Sequence, residues 1–440
     1  MEITMKNIRI LAIIMTLCLL LTMVACGNNE DEPQSTETPT TKAPTTEAPT
    51  TEAPTTEAPT TDNSGDEPTP TIKYPWATQG GDGTEASPLI INQTNFLAFY
   101  EYYKVGSFEA FSTELEYFKL GSDIVVNQGD ADDRATTAPE TVFGAPLSDF
   151  FGVLDGDGHT ISGICLKTDK TYSRASLIRQ LYGTVKNLRI TNSYFEINGT
   201  SYEEVATIAG RLNGGIIENC YSDAILQVTP GTGANVHAGG LAGRVNERDG
   251  SKITNCVFAG KIDAGAGYAG GIVAGNNGRE NLSITNCLNL GSVKGASCSG
   301  GIIGRDDKGG GSTSSMTRCV NLSKTIYKIV DGVDTLANFM YGGGLSKFGV
   351  NDVYVINEFA SVSTSANNEN GIMDGIADVY HKGFQTPTVH KMSLAGFLAL
   401  GGTDDAPEGW YFKDGYVPVP IQGLEIPLAG YLTTWGITLS

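Results

Sequence analysis

The feature that most constrains this chain is a pair of short motifs that alternate along its middle part. One motif has the form Ile-Thr-Asn-Cys or a close variant, and it places Cys220, Cys256, Cys287 and Cys319 at intervals of 36, 31 and 32 residues. The other motif centres on paired glycines, at 238–244, 269–274 and 299–305, with a weaker copy at 205–211. A spacing near 32 residues is typical of repeat proteins, whose units stack on their neighbours.

The residues within each repeat favour strands over helices. β-branched residues occur in short runs broken by Gly and Asn, without the apolar stripe of period 3.6 that ankyrin or tetratricopeptide repeats require. The 55 glycines are not spaced every third residue, which excludes collagen. We therefore predict an all-β chain in which about three short strands per repeat form a solenoid of parallel coils.

This register places the four motif cysteines above one another inside the coils. Free Cys is among the most buried residue types, and the chain has no Cys-x-x-Cys pair or nearby His that would favour a metal. We interpret the cysteines as buried thiols, with disulfides between coils as the alternative. The adjoining positions form a second ladder of amides that can bond along the stack: Asn187, Asn219, Asn255 and Asn286.

The start of the chain resembles a bacterial lipoprotein signal. Lys6 and Arg9 precede a mostly apolar run over 10–24, which is shorter than the roughly 20 residues that span a membrane. Ala25 and Cys26 follow, with Met23 where the lipobox usually has Leu. We predict a signal peptide over 1–25 and lipidation of Cys26; an ordinary secretory signal with a chance Cys is the alternative.

Four further segments follow the signal. Residues 26–72 contain repeats of Thr-Thr-Glu-Ala-Pro and lack an apolar face, so we predict a disordered, extended tether. Residues 73–150 should form an N-terminal cap and the first strands, with a helix over Asn95–Tyr103 covering the first coil. The repeats occupy 151–327, and 328–440 should supply C-terminal coils and a cap, with a short helix over Lys391–Leu400.

Residues 81 to about 420 resemble the GLUG-motif proteins of bacterial surfaces, named for the Gly-Gly-Leu-x-Gly core. Besides the repeats, the likeness covers the opening at 81–88, the segments 118–124 and 154–163, and Trp410 with 414–418, which is similar to the closing strand. The resemblance implies a right-handed parallel β-helix. Such repeats occur in adhesin-like proteins and in non-catalytic regions of immunoglobulin A1-cleaving metallopeptidases. None of the four histidines here lies in the His-Glu-x-x-His motif of those peptidases.

Two acidic segments could carry chemistry. Asp155 and Asp157, followed by His159, could form the site of a glycosidase or lyase, but Asp and Gly at this spacing favour a tight turn. The loop containing Asp130, Asp132 and Asp133, like the pair at 306–307, could hold Ca²⁺, yet the full calcium-loop pattern is absent. We interpret the acidic loop at 130–133 and the pair at 306–307 as solvated. We predict no metal and no cofactor.

One polar stripe is a candidate binding site. Aligning the coils without gaps superposes Gln180, Arg211, Arg244, Gly275 and Arg305, and two positions later Asn213, Asn246, Asn277 and Asp307. Arginine binds carboxylates and sulfates through two parallel hydrogen bonds, so an extended anionic or sugar chain would suit such a stripe. A solvated edge without a ligand is the alternative. The candidate ligand-binding stripe consists of Arg211, Arg244, Arg305, Asn213, Asn246 and Asn277.

The sequence thus predicts a non-catalytic surface protein, anchored in the cell membrane by lipid and facing the extracellular side. Its expected role is adhesion to a glycan or host protein. The 49 acidic against 29 basic residues give a net charge of -20, which excludes nucleic acid as a partner. The alternatives are a β-helical polysaccharide lyase or glycoside hydrolase, and a purely structural envelope protein.

Overall fold

The computed structural model describes residues 74–439 with internal gaps. The gaps are 108–109, 112, 170–172, 200–201, 230–234, 247–249, 277–280, 307–313, 324, 331–332, 338–348 and 357–388. The predicted signal peptide, the lipidated Cys26 and the predicted tether lie outside the described residues. Asn277 and Asp307 of the predicted polar stripe also lie outside them.

The described strands form four sheets, which we name A to D. Sheet A has sixteen strands: Leu89–Ile91 (β1), Tyr117–Leu120 (β2), Ile124–Val125 (β3), Val153–Asp155 (β5), Thr160–Ser162 (β6), Thr184–Lys186 (β10), Arg189–Thr191 (β11), Ile216–Glu218 (β15), Tyr221–Ser222 (β16), Ser251–Phe258 (β20), Leu282–Asn289 (β24), Ser315–Thr317 (β28), Val320–Asn321 (β29), Gly349–Asn351 (β32), Val353–Ile356 (β33) and Val389–Met392 (β34).

The other three sheets are shorter. Sheet B contains Leu147–Phe150 (β4), Ile178–Leu181 (β9), Ala209–Leu212 (β14), Ala242–Val245 (β19), Val273–Asn276 (β23) and Ile303–Asp306 (β27). Sheet C contains Cys165–Asp169 (β7), Tyr194–Asn198 (β12), Ile225–Thr229 (β17), Lys261–Asp263 (β21), Ser292–Lys294 (β25), Thr325–Val330 (β30) and Val333–Ala337 (β31). Sheet D contains Arg174–Ala175 (β8), Glu204–Ala206 (β13), His237–Gly239 (β18), Tyr268–Gly270 (β22) and Cys298–Gly300 (β26).

The prediction of an all-β parallel solenoid is confirmed. Each strand pairs in parallel with its counterpart one coil away, as β14 does with β19 and β12 with β17. The antiparallel pair of β30 and β31 is the exception among the described strands of sheets B to D. Residues one repeat apart therefore become direct neighbours.

The prediction of about three strands per repeat is wrong, because the described coils between 174 and 294 have five strands or four. The coil over 204–229 runs through β13 in sheet D, β14 in sheet B, β15 and β16 in sheet A, and β17 in sheet C. The paired-glycine motif is not one strand but the corner between sheets D and B. At that corner a Cβ on Gly240 would lie 2.0 Å from the backbone oxygen of Gly271, so only glycine fits.

The core lies inside the coils and takes one or more apolar side chains from every sheet. In the same coil, Val205, Leu212, Ile217 and Leu226 are fully buried, one from each of sheets D, B, A and C. Repetition of these positions in successive coils gives a continuous apolar interior, which is how stacked repeats stabilise one another.

The predicted N-terminal helix is confirmed and begins at Phe96 (α1, Phe96–Tyr103). Its buried face is aromatic: Tyr100 stacks on Phe143 with ring centroids 3.9 Å apart, and Tyr103 stacks on Phe111 at 4.0 Å. These rings belong to the same buried cluster as Phe118 of β2 and Leu147 of β4. The role of the helix as a cap stays a prediction.

The C-terminal region forms a second apolar cluster against sheet A. The predicted second helix is present at Leu394–Leu398 (α2), and a third helix that the sequence did not predict spans Leu428–Trp435 (α3). The predicted closing strand after Trp410 is wrong, since the described backbone there makes only isolated antiparallel bridges, such as Tyr411 with Val419. Trp410 itself is buried.

Candidate functional site

The arginine stripe has the register that the gap-free alignment predicts. Arg211 pairs with Gln180 in the preceding coil and with Arg244 in the next. Arg244 pairs with Gly275, and Gly275 with Arg305. The stripe therefore runs along sheet B, across five successive strands.

The amides of the predicted stripe are less uniform than its arginines. Asn213 is 1% exposed and donates its Nδ2 to Gln180 Oε1 at 3.0 Å, so it braces two coils. Asn246 is partly exposed. These side chains do not form one continuous solvated row.

The arginines converge on Glu204, which lies on β13 in the neighbouring sheet D. The Glu204 side chain is 1% exposed; Arg211 Nη2 lies 2.5 Å from its Oε1, and Arg244 Nη1 lies 3.8 Å from the same oxygen. Arg174 Nε lies 2.8 Å from Oε2, as an ion pair without hydrogen-bond alignment. A carboxylate is buried at acceptable cost only when cations surround it. One glutamate therefore links three successive coils.

Two aromatic rings extend this corner into the following coils. Glu204 pairs in register with His237, and His237 with Tyr268. The rings of His237 and Tyr268 lie 4.9 Å apart. The Arg305 guanidinium lies 4.6 Å from the centre of the Tyr268 ring and donates a hydrogen bond to its hydroxyl. We call the set Arg174, Glu204, Arg211, His237, Arg244, Tyr268 and Arg305 the charged corner.

The environment of His237 keeps its imidazole neutral. Burial, and then the positive charge of Arg244, lowers its pKa to about 3.

Gly275 explains why the arginine stripe is interrupted at this coil. A Cβ on Gly275 would lie 2.5 Å from His237 Cδ2, so glycine leaves the room that the ring occupies.

Sequence reasoning missed the half of the charged corner that sheet D supplies. The signal was present, because the same alignment, extended to the residues before the paired glycines, superposes Arg174, Glu204, His237, Tyr268 and Cys298. What the alignment does not show is that sheets D and B turn these side chains toward each other. The stripe's role in ligand binding stays a prediction.

The cysteine ladder consists of free thiols at its four predicted positions. Cys220, Cys256, Cys287 and Cys319 are fully buried and unpaired. Each Sγ approaches the carbonyl oxygen two residues earlier, at 3.1 Å for Cys256 and 3.2 Å for Cys220. The thiol thus satisfies a carbonyl at the corner within sheet A.

The preceding asparagines make that corner. Asn187, Asn219, Asn255 and Asn286 all have φ between 51° and 54°, a left-handed conformation that Asn tolerates better than most residues. Asn219 donates its Nδ2 to Asn187 Oδ1 at 3.2 Å, and Asn286 donates to Asn255 Oδ1 at 3.0 Å. The predicted amide ladder is therefore present, as two separate pairs.

A polar cavity of about 410 Å³ lies over this ladder. Sheet A forms its floor, and the C-terminal segment 411–422 forms its opposite wall. We call it the asparagine groove and define it by the lining residues Asp157, Asn187, Arg189, Asn219, Asn255 and Tyr411. Sequence reasoning did not predict it, because the segment that closes it lies outside the repeats.

The opening-turn acids are held by basic and amide groups. Asp155 accepts a hydrogen bond from Asn187 Nδ2 at 2.9 Å, and Lys186 Nζ lies 3.2 Å from its carboxylate. Burial would raise the pKa of Asp155, but these hydrogen bonds outweigh it and hold the pKa below the usual value. Asp157 has φ 51° and an ion pair with Lys119 at 2.9 Å. This arrangement is that of a braced turn, as the sequence predicted.

The His of that turn and the acidic loop have local partners too. His159 Nδ1 lies 3.2 Å from Asp123 Oδ1. In the acidic loop, Asp132 pairs with Lys261 at 2.6 Å, and the buried Arg134 donates to the Gly129 carbonyl at 2.9 Å. Among the described residues, no three His, Cys, Asp or Glu side chains are grouped so that they could hold a metal ion.

No helix within the described part of the chain is both long and apolar enough to cross a membrane.

Comparison with known proteins finds a similar fold among solved structures but no sequence family. No protein-family model and no curated protein matches the chain. Among solved structures, it is similar to a crystal structure described as a "putative immunoglobulin A1 protease" from Bacteroides ovatus, with 20% sequence identity and a TM-score of 0.48. That match covers 78% of this chain and 95% of the other.

Proposed function

We propose that this protein is a non-catalytic glycan-binding protein, held at the outer face of the cell membrane through a lipid on Cys26. The observation that carries the proposal is the asparagine groove. It combines amide groups, a guanidinium and an exposed aromatic ring on a parallel β-helix, whose paired strands hold such groups at fixed distances. Sites that bind small polar ligands place a few convergent polar groups in a concave surface in this way.

The carboxylates near the groove support binding over catalysis. A glycosidase needs one carboxyl group to deliver a proton and a second to act as base or nucleophile. Asp155 and Asp157 instead have lysine partners and shape a turn. These contacts give both aspartates a structural role that does not require catalysis.

Retention on immobilised polysaccharides tests the proposal. The full-length protein, in mild detergent, is applied to mucin, pectin, xylan, glycosaminoglycans and peptidoglycan, and soluble products are assayed in the same wells. We expect retention on at least one surface without products. Released reducing ends or unsaturated sugars would overturn the non-catalytic assignment, and no retention on any surface would overturn glycan binding.

The same wells test the predicted arginine stripe. Arg244→Gln removes the most distant of the three arginine contacts to Glu204, at 3.8 Å, and so disturbs the charged corner least. Reduced retention with an unchanged melting temperature would support the stripe as a binding face. Unchanged retention would show that the arginines serve the coils alone.

A further inference from the structure

The asparagine groove contains hydrogen-bonding groups that the described chain leaves without partners. Asn219 Nδ2 and Asn255 Oδ1 are used within the two amide pairs, at 3.2 and 3.0 Å. The other amide atom of each residue differs. Among the described residues, Asn219 Oδ1 accepts no hydrogen bond, Asn255 Nδ2 donates none, and no hydrogen bond joins these two side chains. An acceptor and a donor therefore lie side by side on the floor, one coil apart.

Arg189 adds a positive charge to this floor. It lies on β11 and is half-buried. Among the described residues it forms no close ion pair, although its charge helps to lower the pKa of the Asp123 carboxyl. The neighbouring lysines differ, since Lys186 and Lys119 are paired with the opening-turn acids at 3.2 and 2.9 Å. Arg189 is thus the cation of the groove that can bind a ligand without first breaking a close ion pair, although it shares its charge with Asp123.

Tyr411 supplies an aromatic wall opposite the amides. The residue is 45% exposed, although its backbone is fixed by a hydrogen bond from its own N–H to the Val419 carbonyl at 2.8 Å. The adjacent Trp410 is buried in the C-terminal cluster. A fixed backbone that presents an exposed ring to a polar cavity is suited to stacking against the apolar face of a flat ligand.

We propose that the asparagine groove binds a carboxylate-bearing sugar, such as a hexuronic acid residue of an acidic polysaccharide. Arg189 binds the carboxylate, since guanidinium and carboxylate form charge-assisted paired hydrogen bonds. The unmatched amide groups of Asn219 and Asn255 bind sugar hydroxyls, which both donate and accept. The ring of Tyr411 packs on the C–H face of the sugar. This inference rests on the proposed function and names its ligand class.

The size of the groove fits this ligand. Its volume of about 410 Å³ lies within the range of roughly 300–1,000 Å³ that small-molecule sites occupy. A neutral sugar would fill the same space but leave the guanidinium without its partner. The groove should therefore prefer the acidic sugar.

Calorimetric titration of the full-length protein with trigalacturonic acid tests the inference, with its methyl-esterified form as the neutral probe. We expect the acid to bind and the ester to bind about tenfold more weakly or worse, because a hydrogen bond to a charged group is lost. Arg189→Gln should weaken the acid by about tenfold while leaving the ester unchanged. Tyr411→Ala should weaken both.

Matched controls and one further variant keep the test decisive. Lys252→Gln changes an exposed cation of the same sheet, and Tyr202→Ala removes a 66%-exposed tyrosine elsewhere; both should bind as the unmodified protein does. Asn255→Asp places a carboxylate in the groove. Asp tolerates positive φ as Asn does, and its Oδ1 can still accept the hydrogen bond from Asn286. This variant should repel the acidic probe even if Arg189→Gln folds poorly.

The outcomes separate the two proposals. Retention on glycan surfaces with equal binding of acid and ester, or with no effect of Arg189→Gln and Asn255→Asp, would overturn the acidic-sugar site and leave glycan binding elsewhere on the protein. Failure to bind any sugar surface would overturn both.

Discussion

Replacing Glu204 with Gln should destabilise the protein far more than an ordinary surface substitution. Gln keeps the volume but removes the charge that the arginines surround at 2.5 and 2.8 Å, leaving their guanidinium groups to repel one another. Removing one partner of a buried ion pair costs about 3–5 kcal/mol. Since the three arginine side chains are 10–17% exposed, water relieves part of the repulsion, and we expect about 3 kcal/mol.

Urea unfolding followed by circular dichroism measures the total loss, and hydrogen exchange at β13, β14 and β19 measures it locally, because stacked coils open in separate units. The matched control is Glu196→Gln, which removes a 19%-exposed carboxylate 3.6 Å from Lys167. That variant should lose less than about 1 kcal/mol. If both variants lost the same free energy, the corner would not depend on its carboxylate.

A second substitution checks the cause. Arg211→Met in the Glu204→Gln background removes the guanidinium nearest to position 204 and should recover part of the lost stability, although Arg211→Met alone should be destabilising. Opposite signs in the two backgrounds would demonstrate the coupling between these groups. Additive losses would contradict it.

Three further predictions concern the interior and corners of the coils. Because the folded-state pKa of His237 is lowered to about 3 from 6.5, its contribution is fully present above pH 6.5 and is lost as the pH falls toward 3. Stability should therefore be about 2 kcal/mol lower at pH 5 than at pH 7.5, and His237→Gln should remove this slope; an equal slope in the variant would contradict it. Asn255→Ala should cost about 1–2 kcal/mol in urea unfolding and Asn255→Gly less, because glycine adopts positive φ freely, so equal losses would refute the role of φ. Burial raises the pKa of Cys220, Cys256 and Cys287, so a thiol reagent should label them only after unfolding, and rapid labelling of the native protein would contradict this.

The sequence correctly predicted the features that depend only on the repeat register. In a parallel solenoid, equivalent residues of successive coils are neighbours, so one alignment placed the cysteine ladder, the asparagine ladder and the arginine row correctly. The helix at Phe96–Tyr103 was predictable because its aromatic residues follow a helical spacing. These features need only the spacing of residues along the chain.

The features that were missed depend on the angle between sheets or on segments outside the repeats. An alignment gives the position of Arg211 along the stack but not the turn between sheets B and D that brings it to Glu204. The corner glycines were assigned to a strand because their runs look β-like, although the corner forms where Gly240 allows close backbone contact. The helix Leu428–Trp435 and the wall formed by Tyr411 have no counterpart in the repeats.

The C-terminal segment has a mechanical consequence. Its successive residues contact different coils: Glu408 pairs with Arg318 at 3.3 Å, Gly409 lies against Asn286, and Tyr411 lies over the groove floor. Tyr431 adds a hydrogen bond to the Leu322 carbonyl. Several coils at this end are thus bound to one C-terminal segment. A pulling force must detach that segment before any of these coils can unfold. Under tension, these coils should therefore unfold together in one large step. A stack without this segment would unfold one coil at a time.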